Sequence, residues 1–287
     1  ATYRFEKNTH TGTETLLLAG VLADGETILE NAAQEPEVND LIGLLVRMGA
    51  NIKRTAPRTI VIKGVSKLHG TRFVINPDRN EIITLAIAAL LTKGDIYITN
   101  ARKEGIEAFL AAFAQVGGSY KEEPQGMRFY SLEKELSPSD IRTAPAPHFM
   151  TDWQGPWAVL MTQATGVSTI HETVYENRFG YVSELIKMGA NIKFFSPSVT
   201  NPKELYNFNL TKVAKEKHHA IRITGATQLH NAVVNITDLR AGATLVLAAL
   251  TARGTSIVFG VEHLDRGYEQ FEKRLNALGA KIRRASE

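Results

Sequence analysis

One unit recurs four times along this chain of 287 residues, punctuated by pairs of glycines about 24 residues apart. The upstream glycines are Gly25, Gly94, Gly166 and Gly254; the downstream ones are Gly49, Gly117, Gly189 and Gly279. An apolar stretch of helical length runs up to each upstream glycine, and a β-rich run follows it. A second, amphipathic stretch leads to the downstream glycine, after which another strand begins. The units span 15–52, 79–120, 151–192 and 237–282, so the chain reads as a duplicated helix-and-sheet fold.

A chain of this length with 44% hydrophobic residues can fill a substantial core, and two moderate domains are expected, 1–77 and 78–287. It has no cysteine, which excludes a disulfide framework, a thiolate metal site and a thiol nucleophile within these residues. Lys and Arg number 33 against 30 Asp and Glu, and the charges are interspersed, which argues against nucleic acid as a partner. Apolar runs such as "TLAIAALLT" fall short of the roughly 20 residues of a membrane span, and no signal-peptide pattern opens the chain. A soluble cytoplasmic protein is the expectation. The opening "ATYRFEKNTHTGTE" lacks a Met and enters almost at once into a strand-like run, which suggests an internal fragment or a cut chain.

Within the first unit, "TLLLAGVLA" reads as a helix and "PEVNDLIGLLVRMGA" as a second, with Pro and acidic residues at its start as helix N-termini favour. "TIVIKGV" and "TRFVINP" read as strands. The stretch from Glu122 to Asp152 reads as a strand and a long ordered loop able to carry a site. A strand pair is expected in "HAIRITGATQLHNAVVNITD". The segment 195–217 reads as an exposed excursion or short helix with a basic tip.

Several residues are candidates for chemistry, each with a plainer alternative. Asp152, at a loop-to-helix junction, is either a helix cap or a carboxylate that accepts a proton from a bound hydroxyl. Arg178, beside Glu172 and Glu176, is either a salt-bridge partner or an anion ligand, since a helix start does not itself favour a cation. "NITDLRAG" and "EHLDRGYE" pair Asp238 with Arg240 and Asp265 with Arg266; two arginines at equivalent repeat positions suit a carboxylate or phosphate. The run "KNTHTGTET" groups Lys7, Asn8, Thr9 and His10 before a helix, a composition that suits phosphate or simply caps the helix. It has no P-loop or dinucleotide spacing. No spacing of His, Asp or Glu makes a metal site.

Taken together, "TGTETLLLAGVLADGETILENAAQEPEV", "INPDRNEI", "RTAPAPHFMTD", "ETVYENRF", "VNITDLRAGATLVLAAL" and "HLDRGYEQFEKRLNALGAKI" resemble, in order, the UDP-N-acetylglucosamine 1-carboxyvinyltransferase (MurA) family. The resemblance covers essentially the whole chain, apart from about 20 residues between Phe194 and His218 that look inserted. It implies an inside-out α/β barrel of the enolpyruvyl transferase type, six related units over two domains, about four of them present here. The chain would then be N-terminally incomplete, lacking a lysine, an asparagine and a loop bearing a cysteine and an arginine, supplied by a missing segment or a companion chain. The implied reaction moves the enolpyruvyl group of phosphoenolpyruvate to the sugar 3-hydroxyl of UDP-N-acetylglucosamine, with no cofactor or metal, in peptidoglycan precursor synthesis. Asp152 would contact the hydroxyl and Arg266 the phosphoenolpyruvate anion, with Arg178 and Arg240 as further anion-positioning groups. Lys7, Asn8, Thr9 and His10 would flank the uridine diphosphate, and Val174 the nucleotide sugar. This chain alone is expected to be inactive. Transfer to shikimate 3-phosphate and a non-catalytic UDP-sugar binder are the alternatives.

Overall fold

The computed structural model describes residues 1–133, 135–210 and 218–285. The first unit runs β1 (Thr2–Arg4), α1 (His10–Gly20), β2 (Glu26–Glu30), α2 (Pro36–Arg47), β3 (Asn51–Ala56) and β4 (Thr59–Lys63). Its sheet has the order β1-β2-β4-β3, with β1 parallel to β2 and the other pairs antiparallel. The second unit has α3 (Arg79–Leu91), β5 (Asp95–Thr99), α4 (Glu107–Gln115), β6 (Gly118–Glu123) and β7 (Gly126–Ser131), in a sheet ordered β5-β7-β6. The third repeats the first, with β8 (Asp140–Arg142), α5 (Gln154–Gln163), β9 (Gly166–His171), α6 (Val182–Lys187), β10 (Asn191–Phe195), a short α7 (Pro202–Leu205) and β11 (Ala220–Gly225), ordered β10-β11-β9-β8. The fourth has β12 (Val233–Asn235), α8 (Leu239–Thr251), β13 (Ile257–Phe259), α9 (Val261–Asp265) and α10 (Phe271–Ala277), with β12 parallel to β13. The architecture is α/β with repeated helix–sheet units. Its strands form four separate sheets, so the barrel implied by the resemblance is not closed among the described residues.

The downstream glycines work as expected. Gly49, Gly117, Gly189 and Gly279 all have positive φ, the left-handed conformation that ends a helix without a Cβ clash. At the first, the Ala50 N–H then reaches back to the Leu45 carbonyl at 2.9 Å and closes the helix.

Helices α3, α5 and α8 differ from the rest because they lack a polar face. From Ile82 to Leu90 every residue of α3 is buried, as is every residue of α5 from Gln154 to Thr162. A helix apolar all round has no side to offer solvent, so it must sit inside. The three pack on one another, with the sheets and the more amphipathic helices outside them. At one crossing Gly155 lets α5 approach α8: a Cβ there would lie 2.3 Å from Thr244 Oγ1. Phe109, Phe149, Trp153 and Trp157 meet edge to face around α5. The first unit keeps its own core of Phe5, Leu17, Leu29, Val38, Ile60 and Ile62. Polar contacts link it to the rest, including the Arg79 guanidinium bidentate on Glu37 at 2.8 and 2.9 Å.

Two local expectations need correction or placement. "TRFVINP" forms no strand. Phe73 packs beside Gly43 of α2 with Arg47 over its ring, and Asn76 hydrogen-bonds Asp40, so this β-branched run is held on a helix instead of a sheet edge. In the segment 195–217 a short helix is present, α7, while the basic stretch 211–217 lies outside the described residues.

The segment after α7 returns to the third sheet through aromatic packing. Tyr206 and Phe208 are buried, and the Tyr206 hydroxyl lies 3.0 Å from His171 Nε2. Burial first, then the nearby Arg142 and His219, depresses the His171 imidazole to about 4.

Leu160→Ala, in the middle of α5, should lower unfolding free energy by about 2–5 kcal/mol in urea titration, against about 0.5 kcal/mol or less for the exposed Leu18→Ala. The unfolded chain protonates His171 near 6.5 and the folded chain only near 4. Stability is therefore complete above that window and falls as pH drops through it. Thermal melts of His171→Asn should show a shallower loss between those two pH values than wild type.

Candidate active site

The N-terminal ends of α3, α5 and α8 open on one cleft of about 1320 Å³, whose walls include His10, Asp78, Arg79, Asn80, Asp152 and Arg240. Each end is built locally in its own way. Asp78 caps α3 by accepting from the Asn80 N–H at 2.7 Å, and Asp238 caps α8 by accepting from Arg240 and Ala241 N–H at 2.9 and 3.0 Å. α5 is preceded by a 3-10 turn, Thr151–Trp153, that has no side-chain cap. Three helix N-termini facing one space carry partial positive charge, which the carboxylates of Asp78 and Asp238 already meet at two of them.

Asp152 is thus not the helix cap that its position allowed. Its Oδ1 accepts from Arg178 Nη2 at 2.9 Å and its Oδ2 pairs with Arg240 Nη2 at 2.9 Å, with all three side chains about one-fifth exposed. Arg178 also donates to Thr151 Oγ1 at 3.1 Å and lies over the Tyr175 ring. Burial works to lower the pKa of the Arg240 guanidinium, but Asp152, Tyr268 and Asp78 outweigh it and hold it above its ordinary value. The result is a carboxylate held between two cations on the wall of the cleft. Such a group can accept a proton from a hydroxyl, while the guanidiniums can turn to carboxylate or phosphate oxygens.

A buried glutamate organises this arrangement. Glu172 Oε2 accepts from Thr151 Oγ1 at 2.9 Å and Gln154 Nε2 at 2.8 Å; its Oε1 accepts from the Val174 and Tyr175 N–H groups at 2.6 and 2.9 Å. Thr151 and Tyr175 are both neighbours of Arg178, so one carboxylate sets the two surfaces against which that guanidinium lies.

The other expected site residues are distributed as follows. Thr9 caps α1 by accepting from the Gly12 N–H at 3.2 Å, and His10 lies on the cleft wall beside Glu14. Lys7 and Asn8 bond instead to residues 203–207. The Val174 N–H is held by Glu172. Asp265 pairs with Arg284, not with its neighbour Arg266, which is exposed and does not line the cleft.

Sequence reasoning missed Arg79, Asn80 and Tyr268. Arg79 is buried among Glu37, the Gly105 carbonyl and the Trp153 ring, and Asn80 Oδ1 accepts from Trp153 Nε1 at 3.0 Å. The Tyr268 hydroxyl lies 2.9 Å from Thr84 Oγ1 and faces Arg240. The available signal was "PDRN" opening a helix that is otherwise apolar. Among the described residues no group of three or more His, Asp or Glu is placed to hold a metal ion, and no helix is long and apolar enough to cross a membrane.

Residues 1–275 match the family described as EPSP synthase (3-phosphoshikimate 1-carboxyvinyltransferase). The UDP-N-acetylglucosamine 1-carboxyvinyltransferase of Koribacter versatilis is 44% identical over 283 residues, covering 99% of this chain and 60% of the relative. That of Magnetococcus marinus is 45% identical, covering 98% and 62%. Among solved structures, the enolpyruvyl transferase NikO from Streptomyces tendae is similar with a TM-score of 0.79 at 27% identity, over 95% of this chain and 60% of that one. An EPSP synthase from Acinetobacter baumannii reaches a TM-score of 0.72 at 17% identity, over 100% and 64%, a likeness of fold alone.

The chain spans about 60% of the length of the curated relatives that it matches. These matches correct the expectation of an N-terminally incomplete chain. The family match already starts at residue 1 and the relatives align over nearly the whole chain, so they establish a share of the relatives' length and assign no missing front segment or companion chain. With its repeated units and its arginine-flanked carboxylate inside the matched span, the chain belongs to the EPSP synthase (3-phosphoshikimate 1-carboxyvinyltransferase) family.

Proposed function

We propose that this protein serves transfer of the enolpyruvyl group of phosphoenolpyruvate to the 3-hydroxyl of UDP-N-acetylglucosamine, with release of phosphate. The observation that carries the reading is Asp152 held between Arg178 and Arg240 where three buried helices end. The choice of acceptor rests on the relatives that are 42–45% identical, which bear the name of that transferase.

In this reading the sugar hydroxyl adds to C2 of phosphoenolpyruvate as C3 takes a proton, giving a tetrahedral intermediate. Loss of a C3 proton and departure of phosphate then give the vinyl ether. Asp152 accepts the hydroxyl proton. Arg178 and Arg240, which flank Asp152, hold the anionic groups of the substrate. The fixed donors act by preorganisation, placed where charge is held or develops. Arg266, exposed and outside the cleft wall, carries no step in this reading, and Val174 is proposed for the nucleotide sugar. In the segment proposed for the diphosphate, Lys7 to His10, His10 is the member on the cleft wall. The second reading is a non-catalytic binder of UDP-sugars, which the same cleft would serve.

Isothermal titration should show UDP-N-acetylglucosamine binding to the chain and shikimate 3-phosphate not binding; the reverse preference would move the protein to the other branch of its family. Arg240→Met should weaken phosphoenolpyruvate binding by about tenfold or more, the loss of a charge-assisted contact. Incubated with both substrates, the chain alone is expected to release phosphate no faster than a buffer blank. An ordinary enzymatic rate would overturn that expectation and exclude the binder reading.

A further inference from the structure

The segment 201–208, within the stretch between Phe194 and His218 expected from the sequence to be an insertion, reaches across to the first unit. On its own side it is anchored by the buried Tyr206 and Phe208 and by the Asn207 N–H, which donates to the Thr173 carbonyl at 2.7 Å. Its other side faces Lys7 and Asn8. Asn207 Oδ1 accepts from the Asn8 N–H at 3.0 Å, and Asn207 Nδ2 donates to the Asn8 carbonyl at 2.7 Å. The Lys7 ammonium donates to the carbonyls of Lys203 and Tyr206 at 2.5 and 2.8 Å. Four hydrogen bonds therefore join two places nearly 200 residues apart in sequence.

The chemistry of this contact is specific. A carboxamide offers a donor and an acceptor side by side, so Asn207 can satisfy both main-chain groups of Asn8 as a neighbouring strand would. The Asn8 side chain is engaged too, donating to the Asn31 carbonyl at 3.1 Å. Asn8 thus has its main chain and its amide nitrogen committed to the protein, and it acts as an anchor more than as a ligand group. Lys7 has two of its three N–H bonds committed. The next residue, Thr9, caps α1, and the one after, His10, stands on the cleft wall.

The first unit has its own core, separate from that of the other three. Polar links between the two bodies therefore help to set where α1 sits relative to Asp152.

We propose that Asn207 is a positioning residue, and that 201–208 is a clasp that fixes Lys7 and Asn8 and so holds the start of α1, with His10, on the wall of the ligand cleft. Its effect on nucleotide-sugar binding rests on the function proposed above; the clasp itself does not. A plain loss of stability would weaken every ligand alike, whereas a positioning role acts on the ligand that touches the 7–10 side of the cleft.

The test is hydrogen exchange by mass spectrometry on the full chain, paired with titration of UDP-N-acetylglucosamine and of phosphoenolpyruvate, in wild type, Asn207→Ala and Asn207→Asp. Asn207→Ala should raise exchange in peptides covering 5–13 and leave those of β4 and α5 unchanged. It should weaken UDP-N-acetylglucosamine about tenfold, the cost of a lost hydrogen-bonded pair, and spare phosphoenolpyruvate. Asn207→Asp keeps the acceptor, loses the donor and should fall between; it carries the test if the alanine variant does not fold. Unchanged exchange over 5–13 overturns the clasp. Raised exchange with unchanged nucleotide-sugar affinity, or an equal loss for both ligands, overturns the positioning role. If wild type binds no UDP-N-acetylglucosamine while Asn207→Ala still frees 5–13, the clasp stands and the proposed function fails.

Discussion

Three helices with no polar face dictate the rest of this structure. Because α3, α5 and α8 cannot present any side to water, they pack together, and every sheet and amphipathic helix of the last three units must cover them. A helix enclosed in this way still has first-turn N–H groups to satisfy. Asp78 and Asp238 do so for two of the three, and these ends open on one cleft beside Asp152. That capping carboxylates and arginines meet in one cleft is thus a consequence of how the core is built.

The arginines of this region leave no buried charge unpaired. Arg178 and Arg240 share Asp152, and Arg79 is satisfied by Glu37 and a carbonyl. Partly buried cations of this kind are costly to leave alone, so each is held by a group that a ligand could displace or complement. Glu172 shows the other half of this economy. It is fully enclosed and hydrogen-bonded at both oxygens, and it touches Thr151 and the turn that carries Tyr175, the two neighbours of Arg178. Its role is to hold the shape in which the exposed chemistry operates.

The links between the first unit and the others are of a different kind. They are hydrogen bonds and ion pairs, including Glu37 with Arg79, Arg58 with the Ala146 carbonyl, and the Asn8 and Asn207 pair. Apolar burial grips without direction, whereas such polar links set distance and orientation. An interface of this character holds α1 and α2 against the cleft at particular points.

What the residues determined by themselves is the local and repeated part. Helix-length apolar runs, the glycines that end the outer helices and the proline at the start of α2 act over a few positions, and they were legible without a partner. So were Asp152, Arg178 and Arg240 as candidates, though each with a bland alternative. Only the tertiary structure chose between these, since Asp152 could have capped its helix and Thr9 does cap its own. The "TRFVINP" run shows the same limit: a β-branched sequence becomes a strand only where another strand supplies its hydrogen bonds, and here α2 and Asp40 hold it instead. Asn207 carried no signal at all. Its partner Asn8 lies 199 residues away, and a hydrogen bond between groups so distant in sequence exists only once packing has brought two surfaces together.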